Sequence, residues 1–312
     1  MKTFAIVFPG QGSQSVGMLD AWGDDPVVRD TLVDASDILG EDLAKLMREG
    51  PKEQLELTTN TQPVMLTAGI ACYRAWLART NCTPALLAGH SLGEYTALVA
   101  AGVLTLADAL PLVRFRAQAM QDAVPVGTGA MAAVLGLDAS AVRDVCAEVS
   151  ARTGAAVEAV NFNDPKQTVI AGTKVGVDAA CEALKARGAK RAMLLAVSAP
   201  FHSSLMKPAA EQLKLRLAHT PFAAPRIPVI NNIDVTLNSD AVAIRDALYR
   251  QAFGPVRWVE VVQALRAQGA QQVLECGPGK VLAGAIKRID PELPVANVQD
   301  PASIAAALES LQ

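Results

Sequence analysis

PALLAGHSLGEYTALVA, residues 84–100, runs from an apolar segment into a helix through a turn with a glycine two residues on either side of a serine. Pro84 to Gly89 is short, apolar and bounded by proline and glycine, the signature of a buried strand, and the stretch to Ala100 carries the helix. Between them, Gly89-His90-Ser91-Leu92-Gly93 fits the G-x-S-x-G elbow in the strand–turn–helix context that the motif requires. In such an elbow a strained turn exposes the hydroxyl, while the helix N-terminus and the next backbone N–H favour a developing oxyanion. Ser91 is thereby a candidate nucleophile. A serine ahead of a helix is also an ordinary N-cap, and this motif alone leaves both readings open.

Upstream, Thr3 to Phe8 reads as a buried strand that enters the glycine-rich turn Pro9-Gly10-Gln11-Gly12-Ser13-Gln14. Asp25 before Pro26 opens a helix that Gly40 ends, and Thr61 before Pro63 opens another reaching about Arg79. Thr105 and Asp108 have capping-box spacing for a helix to about Gln121. From Gly127 the rhythm changes. Residues 130–135 are strand-like, 140–151 helical and 156–161 strand-like; after a turn at Asn163-Asp164-Pro165, 167–171 are strand-like, 175–186 helical and 190–197 strand-like. This βαββαβ order is the ferredoxin-like arrangement. Residues 125–198 are therefore expected as a small domain inserted into a larger one built from 1–124 and 199–312, with the ligand cleft between them. Further strands at 227–231, 272–276 and 294–298 alternate with helices near 241–252, 258–268, 280–288 and 302–311. That alternation gives the fold class α/β, with a mostly parallel sheet covered on both faces.

With 312 residues, 51% of them hydrophobic, the chain can bury a large core without staples. A net charge of -3 and 4% aromatics supply neither a basic stripe nor stacking platforms, which argues against nucleic acid as a partner. The longest nearly apolar stretch, 97–107, falls well short of the roughly 20 residues that cross a bilayer, and the N-terminus does not read as a secretory signal. Five scattered cysteines fit reduced thiols, and three histidines without a cysteine cluster argue against a metal site. A cytoplasmic enzyme is the expectation.

A nucleophilic serine needs a base. His90 adjoins Ser91 at a strand end, where neighbouring side chains point to opposite faces, so it is read as structural. His219 lies at a helix end, where the helix dipole explains it. His202, in Ser198-Ala199-Pro200-Phe201-His202-Ser203-Ser204, sits where the chain returns from the insertion, on a loop at the cleft, and is the candidate base. Among the cations, Arg116 has only apolar neighbours three and four positions away: Leu112, Val113, Ala119 and Met120. A guanidinium on that face should be paired. Spacing alone suits a snorkelling side chain or an internal salt bridge as well as a fork that receives a substrate carboxylate.

Assembled, these blocks resemble the malonyl-CoA:acyl carrier protein transacylase family from end to end. The resemblance rests on residues 9–14 (PGQGSQ), 61–64 (TQPV), 89–94 (GHSLGE), 127–131 (GTGAM), 199–203 (APFHS) and 275–279 (ECGPG), in order and spacing. It implies an α/β-hydrolase-like large domain with a ferredoxin-like insertion. It also implies Ser91 as the acylated nucleophile, His202 as its general base, Arg116 as the grip on the free carboxylate, and an oxyanion hole from the backbone N–H groups of Gln11 and Leu92. Gln251 matches the family's glutamine near the histidine, whose imidazole is oriented by a main-chain carbonyl rather than by an acid. Gln62, Met131, Asn161 and Asn163 are similar to positions lining the acyl or CoA side, and Phe201 has the bulk to disfavour a branched methylmalonyl group. The implied reaction is ping-pong: a malonyl group passes from malonyl-CoA to Ser91, then to the phosphopantetheine thiol of acyl carrier protein, for fatty-acid elongation. No bound cofactor and a monomeric state are further expectations. Alternatives are a trans-acting acyltransferase of polyketide assembly, a serine thioesterase with water as acceptor, and a non-catalytic module that has lost the chemistry.

Overall fold

Strand β1 (Phe4–Phe8), buried at every position, sets the layers of the larger unit. Phe4, Ile6 and Phe8 point to one face and Ala5 and Val7 to the other, as the two-residue period of a strand requires, and the two sets belong to separate cores. The structure is a computed structural model describing every residue from Met1 to Gln312 except Ser198, where the expected end of the insertion falls outside the described residues. After β1 come α1 (Pro26–Leu39), α2 (Leu43–Glu49), α3 (Lys52–Leu55), α4 (Thr58–Thr80), β2 (Leu86–Gly89), α5 (Leu92–Ala100) and α6 (Leu106–Asp122). The middle of the chain forms β3 (Gly129–Leu135), α7 (Ala139–Thr153), β4 (Val157–Asp164), β5 (Gln167–Thr173), α8 (Lys174–Ala186) and β6 (Arg191–Leu194). The remainder forms α9 (Lys207–His219), β7 (Val229–Ile230), α10 (Ala241–Phe253), α11 (Trp258–Ala267), β8 (Gln272–Cys276), α12 (Val281–Ile289), β9 (Val295–Val298) and α13 (Pro301–Ser310).

Five strands form one sheet in the order β7-β2-β1-β8-β9, with every pairing parallel. Helices α4, α5 and α6 contribute to the core behind Phe4, Ile6 and Phe8; α11 and α12 cover Ala5 and Val7. The 9–14 loop and the 90–91 turn leave the carboxyl ends of the neighbouring strands β1 and β2, the edge at which open α/β sheets build ligand sites.

The second sheet, β4-β5-β3-β6, is antiparallel throughout and has the ferredoxin-like order. Ala130, Ala132 and Val134 of β3 pack against α7 and α8, whereas Met131, with Val169 and Ala171 of β5, joins the larger core. A bridge from β4 to the larger unit, Val256 N–H to Val160 O at 2.8 Å and Phe162 N–H to Val256 O at 2.9 Å, fixes the small sheet beside the elbow.

Several boundaries differ from the sequence reading. Helix α4 begins at Thr58, not Thr61; the Thr61 hydroxyl donates to the carbonyls of Leu55 and Leu57 instead of capping, and Pro63 lies inside the helix. Asn163 and Asp164 end β4 instead of forming a turn, because the Asp164 carboxylate accepts the Lys166 N–H and closes the reversal after the strand. The strands expected at 190–197 and 227–231 shrink to Arg191–Leu194 and Val229–Ile230. Helices α2 and α3 had no counterpart in the sequence reading. No helix among the described residues is long and apolar enough to cross a membrane.

Candidate active site

Ser91 occupies the turn between β2 and α5 with φ 53° and ψ −108°, a left-handed conformation that a non-glycine residue adopts only when its surroundings impose it. Two glycines permit the close packing behind this. A Cβ on Gly93 would stand 2.1 Å from the Phe8 carbonyl oxygen, and one on Gly10 would stand 2.5 Å from that of His90. The elbow is thus pressed onto β1, and the 9–14 loop onto the elbow. The backbone of Ser91 is held at both ends: its N–H donates to Asn232 Oδ1 at 2.7 Å, and its carbonyl accepts from Gln251 Nε2 at 3.1 Å. Ser91 makes no side-chain cap to α5, so the ordinary capping reading fails and its hydroxyl is turned to other partners.

Those partners are His202 and Arg116. Ser91 Oγ lies 2.7 Å from His202 Nε2 and 3.2 Å from Arg116 Nη2. His202 Nδ1 lies 2.8 Å from the Gln251 main-chain carbonyl oxygen. A carbonyl only accepts, so the network assigns the proton to Nδ1 and leaves Nε2 free to accept from the serine hydroxyl. His202 itself has φ 65° and is buried. Burial and the positive charge of Arg116 push its pKa down to about 3, which keeps the imidazole neutral.

Arg116 projects from α6 and is 2% exposed. Its Nη1 donates to Gln62 Oε1 at 2.7 Å and its Nη2 to Gln251 Oε1 at 3.1 Å, while its guanidinium carbon stands 5.2 Å from the Tyr95 ring centre. Desolvation lowers its pKa. A cavity of about 110 Å³ opens onto Ser91 and is lined, among others, by Gln11, Gln62, Leu92, Met131, Asn161 and Phe201. Leu92 is the first residue of α5, so its N–H has no acceptor within the helix. Asn163 is placed differently: its Oδ1 lies 2.8 Å from His90 Nε2, and it lines an adjoining cleft of about 340 Å³ that also contains Gly10, Gln11 and Asn161. His90 stacks edge-on to Trp258, in keeping with a structural histidine.

Two residues at the centre were not singled out from sequence. Asn232 accepts the Ser91 N–H and donates its Nδ2 to Gly89 O at 2.7 Å, which fastens both sides of the elbow. Glu94 is 2% exposed, and its Oε2 accepts from Asn232 N and from Gln251 Nε2, each at 2.9 Å. The signal for Glu94 was present: an acid three residues after Ser91, on a helix otherwise uncharged through Ala100. Asn232 follows a two-residue strand and leaves no pattern.

A strained serine against a neutral imidazole, with a helix N-terminus and a buried guanidinium beside it, is equipped to accept and release an acyl group that carries an anionic tail. The family model for the acyl transferase domain matches residues 5–306. The chain belongs to the acyl transferase family. Within that family it is 52% identical over 310 residues to the malonyl CoA-acyl carrier protein transacylase of Escherichia coli strain K12, covering 99% of this chain and 100% of the relative. The crystal structure of an acyl-carrier-protein S-malonyltransferase from Burkholderia pseudomallei 1710b superposes with a TM-score of 0.97 at 64% identity, covering 99% of this chain and 100% of that one. A malonyl-transacylase in complex with its type II PKS acyl-carrier protein also has a TM-score of 0.97, at 50% identity, with 99% and 100% covered. As an acyl transferase with these relatives, the chain is an enzyme.

Proposed function

We propose that this chain transfers a malonyl group from malonyl-CoA to the phosphopantetheine thiol of an acyl carrier protein, by way of an ester on Ser91, and so supplies malonyl-carrier for fatty-acid synthesis. The observation that carries the reading is the pair of contacts on one oxygen: Ser91 Oγ lies within hydrogen-bond reach of both His202 Nε2 and Arg116 Nη2.

In the first half-reaction His202 takes the hydroxyl proton as Ser91 Oγ attacks the thioester carbonyl. The N–H groups of Gln11 and Leu92 receive the oxyanion, each such donor contributing about 3 kcal/mol. Collapse breaks the C–S bond, and the proton on Nε2 leaves with CoA. The second half repeats these steps in reverse with the carrier thiol as nucleophile. The imidazolium is oriented by the Gln251 carbonyl, so no acidic third member is required. The malonyl carboxylate lies in the fork of Arg116; burial, the larger cause of the low His202 pKa, persists with substrate bound, so the imidazole stays neutral and ready to act as base. Gln62 and Gln251 hold the guanidinium in place, and Phe201 beside His202 limits branching at the α-carbon.

The 340 Å³ cleft beside Asn161 and Asn163 suits the pantetheine arm. It lies between residues of 1–124 and 199–312 on one side and of 125–198 on the other, the two domains that this reading requires. The protein acts as a cytoplasmic monomer with no bound cofactor. Intact-mass spectrometry after exposure to malonyl-CoA tests the proposal: one malonyl adduct is expected, mapped to Ser91 and lost in Ser91→Ala. An unlabelled wild type would refute it.

A further inference from the structure

Arg116 is a buried cation with no anion in contact among the described residues. Among the described residues its hydrogen-bond acceptors are Gln62 Oε1, Gln251 Oε1 and Ser91 Oγ, all neutral, with the Tyr95 ring beneath. Its Nε has no hydrogen-bond partner among the described residues. An uncompensated guanidinium in such a place is costly. A carboxylate stands one side chain away. Gln251 joins the two: its Oε1 accepts from Arg116 Nη2 at 3.1 Å, and its Nε2 donates to Glu94 Oε2 at 2.9 Å. Glu94 is as deeply buried as Arg116, and the Asn232 N–H is its other partner.

We propose that Glu94 is the detached counter-ion of Arg116: through the Gln251 amide it balances the buried guanidinium between turnovers while leaving the fork open beside Ser91 for the substrate carboxylate. The inference rests on Arg116 being the carboxylate receptor. A direct salt bridge would balance the charge equally well but would occupy the same N–H groups. The bridged arrangement separates the two tasks. It also makes Glu94 a positioning residue, because an acceptor-only carboxylate dictates that Gln251 turns its NH2 group to Glu94 and its oxygen to Arg116. Once a malonyl carboxylate has docked, two anions share one cation, and Glu94 weakens the grip enough for the acyl group to be passed on.

Other charged and titratable groups around Glu94 are Arg116, Tyr95 and Asp234. Burial pushes the Glu94 carboxyl up to about 7, so the comparison belongs at pH 8, where it is ionised. The probe is free malonate, titrated against full-length wild type and Glu94→Gln. Glutamine keeps an acceptor oxygen and removes the charge. Malonate should bind Glu94→Gln roughly tenfold more tightly, the size of a charge felt across one amide at an effective dielectric near 20. Unchanged or weaker binding overturns the proposal.

A second measurement covers the case in which the single variant is too unstable to titrate. The melting temperature of Glu94→Gln should fall, and adding Arg116→Gln should recover part of that loss because the unbalanced cation is gone. Additive losses, or a double variant that folds no better than the single one, overturn it. Labelling of wild-type Ser91 by malonyl-CoA keeps the two ideas apart: its absence refutes the function, whereas equal malonate affinity in a wild type that labels refutes only the role of Glu94.

Discussion

Replacing Arg116 by alanine should convert a malonyl-selective enzyme into one that barely distinguishes malonyl from acetyl. Arg116 is 2% exposed, and its Nη2 is 3.2 Å from the attacking oxygen, so a carboxylate in its fork is desolvated and held by charge-assisted hydrogen bonds. Such bonds contribute about 1.5–3 kcal/mol each. Loss of two removes about 3–6 kcal/mol from the malonyl transition state, a fall of at least about a hundredfold in kcat/KM at 1.36 kcal/mol per decade. Acetyl-CoA gains nothing from the fork and leaves its N–H groups without a substrate acceptor, so its kcat/KM should hold or rise in the variant. The assay is a competition between malonyl-CoA and acetyl-CoA for the enzyme at equal concentration, read by the masses of the acyl-enzymes. A malonyl preference surviving Arg116→Ala within threefold would show that selectivity resides elsewhere and would refute the carboxylate grip.

The pH dependence follows from the low pKa of His202. At saturating malonyl-CoA the rate of Ser91 acylation should show no inflection at the ordinary histidine value near 6.5, since the imidazole stays neutral far below it; a break at 6.5 in single-turnover kinetics would contradict this. The same group lowers stability in acid, because the unfolded chain takes up a proton below pH 6.5 and the folded one only near 3. From pH 7 to 4.5 the wild type should therefore lose about 3 kcal/mol relative to His202→Gln in urea unfolding, whereas parallel losses would show an unshifted histidine. Asn232→Ala removes the acceptor of the Ser91 N–H and the donor to Gly89 O, so stability should fall by about 2–5 kcal/mol and kcat should fall with little change in KM; a pure KM effect would contradict the elbow-clamp role. Gly93→Ala sets a methyl against the Phe8 carbonyl, a backbone group that cannot swing aside, and should cost more than 3 kcal/mol of stability; a melting temperature within 2 °C of wild type would refute the packing argument.

The sequence was most legible where local chemistry and tertiary packing agree. Thr3 to Phe8 and Pro84 to Gly89 are apolar runs cut by proline and glycine, and both became adjacent parallel strands within two residues of their expected ends. The capping pairs Asp25-Pro26 and Thr105-Asp108 placed two helix starts correctly, because their side chains do bond the first-turn N–H groups. Thr61-Pro63 misled for the opposite reason: tertiary packing carries α4 one turn further back and turns the threonine hydroxyl onto backbone carbonyls. Ser91, His202 and Arg116 carry patterns of their own, and the structure brings them to one point. Asn232 is seen only once β7, α5 and α10 converge, and the acid at Glu94, visible in the sequence, gains a readable role only there, since both hold other groups.

The central claim is that Ser91 lends its acyl group to a thiol and not to water. Wild-type enzyme carrying a malonyl ester, freed of malonyl-CoA and mixed with phosphopantetheinylated acyl carrier protein, tests this most directly by mass spectrometry of both proteins. The account predicts that the adduct leaves Ser91 and appears on the carrier in equal amount, with the ester persisting when the carrier is withheld. Release of free malonate at the same rate with and without the carrier would contradict it.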